Sequence, residues 1–124
     1  MRETEGEPTS LAVEATPSLD LIFDMLSNRR RRQVLYDLND RPDGVATIDE
    51  LADTVAAREH GSGGTDLDAD EHRTQIRTEL QHVHLPKLED AGIIEHDRRS
   101  ETVRYWTQPS LEEWLEHAQH KERA

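Results

Sequence analysis

The segment at 84–97 decides the fold and reads His84-Leu85-Pro86-Lys87-Leu88-Glu89-Asp90-Ala91-Gly92-Ile93-Ile94-Glu95-His96-Asp97. Leu85, Leu88 and Ala91 recur every three residues and therefore share one helical face. Gly92 stands where the end of a helix needs a residue at positive φ. The apolar pair that follows it begins a run typical of a strand. The segment predicts the last turns of a helix, a glycine stop and the start of a strand.

A second strand-like run follows at once along the chain. It reads Thr102-Val103-Arg104-Tyr105-Trp106-Thr107 and comes after the charged turn Arg98-Arg99-Ser100-Glu101. The alternation of β-formers over 102–107 favours a strand that pairs back on the first one. The sequence therefore predicts a helix that leads directly into a two-stranded ribbon with a basic tip.

Composition limits the class of protein. A chain of 124 residues holds one small domain with a modest core. The sequence contains no run of about 18 apolar residues, so it predicts no membrane helix. The acidic, polar start of the chain differs from a secretory signal. The absence of cysteine excludes disulfides and thiolate metal sites. We expect a cytoplasmic protein that does not enter a membrane.

The charge is strongly acidic. The net charge is −12, from 27 acidic and 15 basic residues, and only Lys87 and Lys121 among the basic residues are lysine. Low hydrophobicity with high net charge is one signature of disorder, but the apolar residues here are regularly spaced. We favour adaptation to molar salt, as in halophilic archaea, because the Debye length falls to about 3 Å near 1 M and screens self-repulsion.

The rest of the chain divides into a tail, a domain and a final helix. Residues 1–17 are expected to be a disordered acidic tail, 18–108 the domain, and 109–124 an amphipathic helix. Ser18 is a candidate N-cap, and Thr47 with Glu50 and Ser110 with Glu113 have capping-box spacing. Residues 41–44 predict a turn and 60–68 a Gly-rich loop.

The resulting order is helix, helix, helix, long helix, strand, turn, strand, helix. It predicts an α+β fold, a winged helix-turn-helix that is mostly helical, with a two- or three-stranded wing and a C-terminal helix. The sequence departs from the usual helix-turn-helix pattern in two ways. The loop at 60–68 is longer than the usual turn of three to four residues, and Pro86 predicts a kink because its ring crowds the carbonyl of His82.

Two motifs resemble a known group of regulators. Residues 27–38, Ser-Asn-Arg-Arg-Arg-Arg-Gln-Val-Leu-Tyr-Asp-Leu, resemble the first-helix signature of ArsR-like winged-helix regulators, and His84-Leu85, Leu88 and 91–94 resemble their HLxxLxxAGLV run. The residues at 82–88, His-Val-His-Leu-Pro-Lys-Leu, the Ser-x-x-Arg-Arg pattern that begins at Ser27, and the acidic composition resemble those of a haloarchaeal family of uncharacterised winged-helix proteins. The resemblance implies a transcriptional regulator that binds double-stranded DNA.

The predicted DNA contacts lie on the long helix and on the ribbon. Arginine can read guanine, glutamine can read adenine, and threonine can touch a thymine methyl group, while arginines on a wing suit phosphate or the minor groove. The predicted residues are Arg73, Thr74, Arg77, Thr78, Gln81, His82, Arg98, Arg99 and Arg104. The alternative is that these arginines are ordinary surface charges paired with Asp70, Glu79 and Glu101. Residues 70–107 hold eight acidic and six basic residues, so this region is less acidic than the rest but is not a basic patch.

The run Arg29 to Arg32 is the most basic in the chain. Successive helical residues point about 100° apart, so the four arginines cannot form one patch. One or two of them would face DNA or a partner. We favour a structural role for the rest, paired with Asp20, Asp24 and Asp37.

Histidine spacing and the glycine loop give no support for a metal site or an enzyme. His117 and His120 share a helical face with Glu113, but without cysteine, and without the upstream Asp-x-His of ArsR-like metal sensors, we predict no metal and no cofactor. The run Gly61-Ser62-Gly63-Gly64 lacks the lysine and the strand context of a phosphate loop. With no nucleophile motif, the chain is not expected to be an enzyme.

The last helix carries the strongest signal for self-association. An apolar stripe there predicts a twofold homodimer, which matches a palindromic site. Its members are Leu111, Trp114, Leu115 and Ala118, and the first short helix, Leu19 to Leu26, could supply the opposing surface. The alternative is that Trp114 covers the sheet or the first helix of its own chain. A different functional class also stays open: a winged-helix module for protein–protein interaction that does not bind DNA.

Overall fold

The computed structural model describes residues 17–61 and 68–123. The helices and strands in chain order are α1 Leu19–Leu26, α2 Arg29–Asp40, β1 Val45–Thr47, α3 Ile48–Gly61, α4 Ala69–Glu79, a π-helical turn Leu80–His84, α5 Leu85–Asp90, β2 Ile94–Asp97, β3 Thr102–Tyr105 and α6 Pro109–Arg123. The fold is α+β. The expected disordered tail, apart from Pro17, and residues 62–67 of the expected loop lie outside the described residues.

The helix stop at Gly92 has the geometry that its sequence predicts. Gly92 has φ of 76°. Its N–H donates to the carbonyl of Glu89 at 3.0 Å, and the N–H of Ile93 donates to the carbonyl of Leu88 at 3.0 Å. These two bonds form a Schellman motif, which satisfies carbonyls that the helix end would leave unpaired. Leu88 and Ile93 are both buried, so the motif also fixes where β2 leaves the helix.

Side-chain caps predicted from the sequence set where α1 and α3 begin. Ser18 accepts the N–H of Leu21 at 3.1 Å. The predicted capping box is complete at Thr47, whose hydroxyl accepts the N–H of Glu50 at 3.1 Å while the Glu50 carboxylate accepts the N–H of Thr47 at 2.9 Å. The second predicted box, at Ser110, is wrong. Helix α6 already begins at Pro109, because a proline is well placed in a first helical turn, where its missing N–H costs nothing.

The three-stranded antiparallel sheet has the strand order β1-β3-β2. Strand β1 precedes α3 in the chain, whereas β2 and β3 follow the long helix that α4, the π-helical turn and α5 form together. The ribbon of β2 and β3 pairs Ile94 with Tyr105, and β3 ends two residues before the predicted Thr107. Strand β1 was not assigned from the sequence because three residues are too short a pattern. Gly44 directly precedes it with a φ of +66°, and a Cβ there would lie 3.2 Å from the carbonyl oxygen of Tyr105.

Every described helix and strand contributes to one apolar core. The largest fully buried side chains come from α1, α2, α3, the long helix and α6, and they include Met25, Leu35, Leu51, Leu80 and Leu111. Leu111 and Leu115 are 0% and 1% exposed. The prediction that these two residues form a dimer surface is therefore corrected: the small core needs α6 to close it, so it uses both leucines within the chain.

The long helix is irregular just before Pro86. Over Leu80–His84 it widens into a π-helical turn, and the N–H of Leu85 reaches back five residues to the carbonyl of Leu80. A proline cannot donate the next bond, so a local break in the α-helical ladder at this point has a direct cause. The turn brings His84 to 3% exposure, inside the molecule.

None of the helices in the described residues has the length and apolar character needed to cross a membrane.

Candidate nucleic-acid interface

The nine predicted contact residues lie on two parts of the fold. Arg73, Thr74, Arg77 and Thr78 are on α4, and Gln81 and His82 lie in the π-helical turn. Arg98 and Arg99 form the turn of the ribbon, and Arg104 is on β3. Thr74, Thr78, His82 and the three ribbon arginines are exposed, while Arg73, Arg77 and Gln81 are half-buried.

The two arginines of α4 are held by acidic side chains of α3. Arg77 Nε lies 2.7 Å from Asp49 Oδ1, and Arg73 Nη2 lies 3.3 Å from the same atom. Arg73 Nε also contacts Asp53. The hydrogen bond from Arg77 lowers the pKa of the Asp49 carboxyl below its usual range. Asp49 therefore links both arginines to the helix that precedes them in the fold.

Arg77 also joins the long helix to the ribbon. Its Nη2 lies 2.7 Å from Glu101 Oε1 in the ribbon turn, and its Nη1 donates to Gln81 Oε1 at 3.4 Å. Glu101 is one of the three acidic partners that the sequence predicted for these arginines, and it pairs with Arg77. Asp49 and Asp53 were missed because they lie 20–28 residues earlier in the chain.

The ribbon arginines also have neighbours within the chain. Arg98 Nη2 lies 3.2 Å from Glu89 Oε1 at the end of the long helix. The guanidinium carbon of Arg104 lies 5.7 Å from the ring centroid of Trp106, which is a cation–π distance. Arg99 is exposed in the turn, and its N–H donates to Asp97 at 3.0 Å.

The arginine run of α2 has a mainly structural role, as favoured above. Of the predicted partners, Asp24 accepts from Arg31 through its carbonyl, whereas the ion pairs of Arg30 and Arg32 have partners that were not predicted. Arg30 forms a two-point bond to Glu59 at 2.6 and 2.8 Å and lies 3.2 Å from Glu79. Arg32 forms a similar bond to Glu122 of α6 at 2.8 and 3.2 Å. The prediction that Asp37 pairs with this run is wrong, since Asp37 pairs with Arg41.

Arg31 and His84 form a buried polar pair that sequence analysis did not find. Arg31 is 5% exposed and donates to the carbonyls of Met25 at 3.0 Å and Asp24 at 2.9 Å. Its Nη1 lies 3.2 Å from His84 Nδ1, and His84 Nε2 lies 2.8 Å from Glu79 Oε1. Since arginine only donates, Nδ1 must accept, and the ring proton sits on Nε2. Burial lowers the pKa of His84 and, with the charge of Arg31, outweighs the hydrogen bond to Glu79, which raises it.

The histidine prediction concerned a metal site on α6. Within residues 17–61 and 68–123, no group of three or more histidine or acidic side chains is placed to hold a metal ion. The His117 ring instead lies edge-on to Trp114, with the centroids 6.3 Å apart.

Trp114 also contacts the first helix. Its ring meets Phe23 of α1 edge-on at 5.1 Å, which is the intramolecular arrangement that the sequence left open. Trp114 and Ala118 remain partly exposed, and Leu19 and Phe23 of α1 are 52% and 46% exposed.

These features define a small α+β domain in which a long polar helix lies between a preceding acidic helix and a basic-tipped ribbon. The chain belongs to the family described as a domain of unknown function, DUF7344, whose model matches residues 23–104. The match runs from α1 to β3 and leaves α6 outside it. No curated protein matches the chain, and no solved structure matches it.

Proposed function

We propose that this chain is a winged-helix transcriptional regulator that binds double-stranded DNA. The observation that carries the proposal is the layout of α3, the long helix at 69–90 and the ribbon, in a sheet where β1 pairs with β3. Helix α3 and the long helix then form the helix-turn-helix pair, and the ribbon is the wing. The element order supports this layout, and the exposed polar face of α4 supports its use on DNA.

The reading face consists of side chains suited to base edges. Thr74 and Thr78 are four residues apart on α4, so they lie on one face, and both are exposed. The major groove is about 12 Å wide and admits a helix. Threonine methyl groups then meet thymine methyls, and Gln81 is available for adenine. Arg98 and Arg99 on the wing suit phosphates or the minor groove.

DNA binding on this face requires an exchange of partners. Arg73 and Arg77 are paired with Asp49, so a phosphate must replace the carboxylate. Exposed ion pairs are weak and are further screened by salt, so this exchange is feasible. In molar salt, counterion release contributes little to affinity, and base contacts must contribute more.

The test begins with selection of bound duplexes from a random library in 1 M KCl. Binding of an enriched duplex is then measured by fluorescence anisotropy. We expect Arg77→Ala to weaken binding by about tenfold and Arg98→Ala to reduce the slope of affinity against salt by about 1. Lys87→Ala is the matched control, because Lys87 pairs with Asp24 of α1, away from the wing. If no duplex is enriched, the proposal fails.

Asp49, which pairs with both Arg73 and Arg77, offers a second test in which the affinity for DNA should rise instead of fall. Asp49→Asn removes the charge that holds both arginines of α4, so we expect DNA to bind several-fold more tightly. Asp43→Asn removes a charge from the turn before β1 and is the control. An unchanged affinity in Asp49→Asn would show that α4 does not face the duplex.

The runner-up function is a protein–protein interaction module. The observation that favours it is that Arg73, Arg77 and Arg98 each have an acidic partner within the chain. A helix whose charges are balanced in this way also suits a protein partner. The two functions separate in the selection experiment, since a pure interaction module enriches no DNA sequence.

We also propose that the regulator is a twofold dimer, through a surface that keeps Trp114 of the predicted stripe but not its two buried leucines. With Leu111 and Leu115 in the core, the exposed apolar side chains near α6 are Leu19, Phe23 and part of Trp114. Light scattering in 1 M KCl should give the mass of two chains, and Phe23→Ser should give one. Trp106→Ser, at a residue with 47% exposure beyond β3, is the control and should stay dimeric.

A further inference from the structure

A cleft separate from the proposed DNA face lies between α2, the end of α3 and the end of α6. Its volume is about 330 Å³. It is lined by residues from all three helices, including Arg29 and Gln33 of α2, Arg58 of α3, and Gln119 and Arg123 of α6. None of these residues belongs to the proposed reading face or to the wing.

The cleft is basic in an otherwise acidic chain. Three arginines line it, together with one carboxylate, Glu122. Glu122 already accepts a two-point bond from Arg32 and a bond from the Tyr36 hydroxyl at 2.6 Å. Each guanidinium has five N–H donors in a planar fork, so it can bind an added anion besides a partner it already has. The charge of the cleft therefore favours an anionic ligand.

Two amide side chains of the cleft have unused hydrogen-bonding atoms. Gln33 is 4% exposed, and its Oε1 has no hydrogen-bond partner among the described residues; the same holds for Gln119 Nε2. Buried polar atoms without a protein partner are met by water or by a ligand. The last torsion of a glutamine is broad, so either amide can turn toward the cleft. A hydroxyl both donates and accepts, so it can serve both amides.

We propose that this cleft binds a small organic anion that carries a hydroxyl group beside its carboxylates. The arginines bind the carboxylates, and Gln33 and Gln119 bind the hydroxyl. The volume is at the small end of ligand pockets, which run from about 300 Å³ upward. It suits a molecule of roughly a dozen non-hydrogen atoms.

Calorimetry on the full chain with citrate and tricarballylate tests the proposal. Tricarballylate has the three carboxylates of citrate without the hydroxyl. At pH 7.5 and constant KCl, we expect citrate to bind with a sub-millimolar Kd and tricarballylate at least tenfold more weakly. No measurable binding of citrate, or equal binding of the two, would overturn the proposal.

Variants assign the binding to the cleft. Arg123→Gln should weaken citrate at least tenfold, whereas Arg99→Gln, the same charge change on the wing, should leave it unchanged. Equal weakening by both would show a general charge effect and sink the proposal. Gln33→Met should remove the preference for citrate over tricarballylate. If that variant does not fold, Gln119→Met, at a partly exposed position, makes the same test. Since DNA is absent from these measurements, their failure leaves the proposed DNA binding untouched.

Discussion

Arg31 and His84 combine burial with hydrogen bonds between their polar side-chain atoms and the atoms around them. Arg31 is buried because backbone carbonyls at the end of α1 and the ring of His84 accept its N–H groups. A buried guanidinium without such acceptors would be very costly. The same bonds hold His84 neutral, since its Nδ1 must accept from Arg31. Stability at this position therefore depends on the protonation state of one imidazole.

Acidification should destabilise the protein through His84. Its folded pKa lies below the unfolded value of about 6.5, so the unfolded chain binds the proton first and stability falls as pH drops through that range. We expect the free energy of unfolding to fall between pH 7.5 and 5.5, measured by urea denaturation. This pH window lies above the range in which Glu59, Glu79 and Glu122 take up protons, because the pKa values of all three carboxyl groups are lowered.

The matched variants isolate the contribution of His84. His84→Gln should show a smaller fall in stability over this pH window than the wild type, while His120→Gln, at an exposed position of α6, should keep the wild-type fall. His96 is also buried and its pKa is also lowered, chiefly by burial, so part of the fall remains in His84→Gln. An identical fall in His84→Gln and the wild type would contradict the prediction.

Backbone conformation at two glycines provides a second test at this scale. Gly92 has open space where a Cβ would stand, so Gly92→Ala meets only the cost of positive φ, about 1 kcal/mol. Gly44→Ala should cost more, because its Cβ would also press on the carbonyl of Tyr105 at 3.2 Å. Chemical denaturation measures both. Equal losses would indicate that the sheet yields freely at Gly44.

At the scale of elements, local hydrogen bonds define where helices start, and the long helix shows how one residue alters a whole element. Pro86 removes one donor, and the preceding turn becomes π-helical. That turn places His84 opposite Arg31 and Glu79, so α2 and the long helix are joined by a polar contact as well as by apolar packing. π-Helical turns are rare and often occur at functional positions.

The two capping boxes predicted from the sequence should differ in their effect on stability. Thr47→Ala removes a hydroxyl that caps α3, and we expect a loss of about 1 kcal/mol. Ser110→Ala should change the free energy of unfolding by less than about 0.5 kcal/mol, because Ser110 lies inside α6 rather than at its cap. Thermal and urea denaturation check the pair. A larger loss at Ser110 would place the start of α6 where the sequence predicted it.

The whole molecule is a small core under a strongly acidic surface. A net charge of −12 on 124 residues repels itself at low salt. Ion pairs such as Arg30 with Glu59, and Arg32 with Glu122, offset part of this repulsion and connect α2 to α3 and to α6. Because acidic residues outnumber basic ones by 27 to 15, ion pairs cannot neutralise all of the carboxylates, and a net negative charge remains.

Salt should therefore stabilise the protein. Raising KCl from 0.1 to 1 M shortens the Debye length from about 10 to 3 Å and screens the repulsion, so we expect the Tm to rise by at least about 5 °C. A triple variant, Asp40→Asn, Glu113→Gln and Glu116→Gln, removes three exposed negative charges and should show a smaller rise. A Tm that falls with KCl would contradict both this prediction and the adaptation to molar salt.

Local patterns in the sequence were sufficient for most elements. The stop at Gly92, the capping box at Thr47 and the ribbon follow from residues within a few positions of one another, because their hydrogen bonds close within one turn or one hairpin. The α+β class with a short sheet was predicted correctly for the same reason. Strand β1 was not assigned, because three residues pair into a sheet only when β3 is already alongside.

Long-range contacts account for what the sequence could not specify. Arg73 and Arg77 are paired with acidic residues 20–28 positions earlier, and Arg32 with Glu122 at a separation of 90 positions. An apolar stripe on α6 indicates burial but not against which surface, so two of its leucines were assigned to a partner when they close the chain's own core. Hydrogen bonds along a turn depend on neighbours in sequence, whereas ion pairs and core packing depend on which helices the fold brings together.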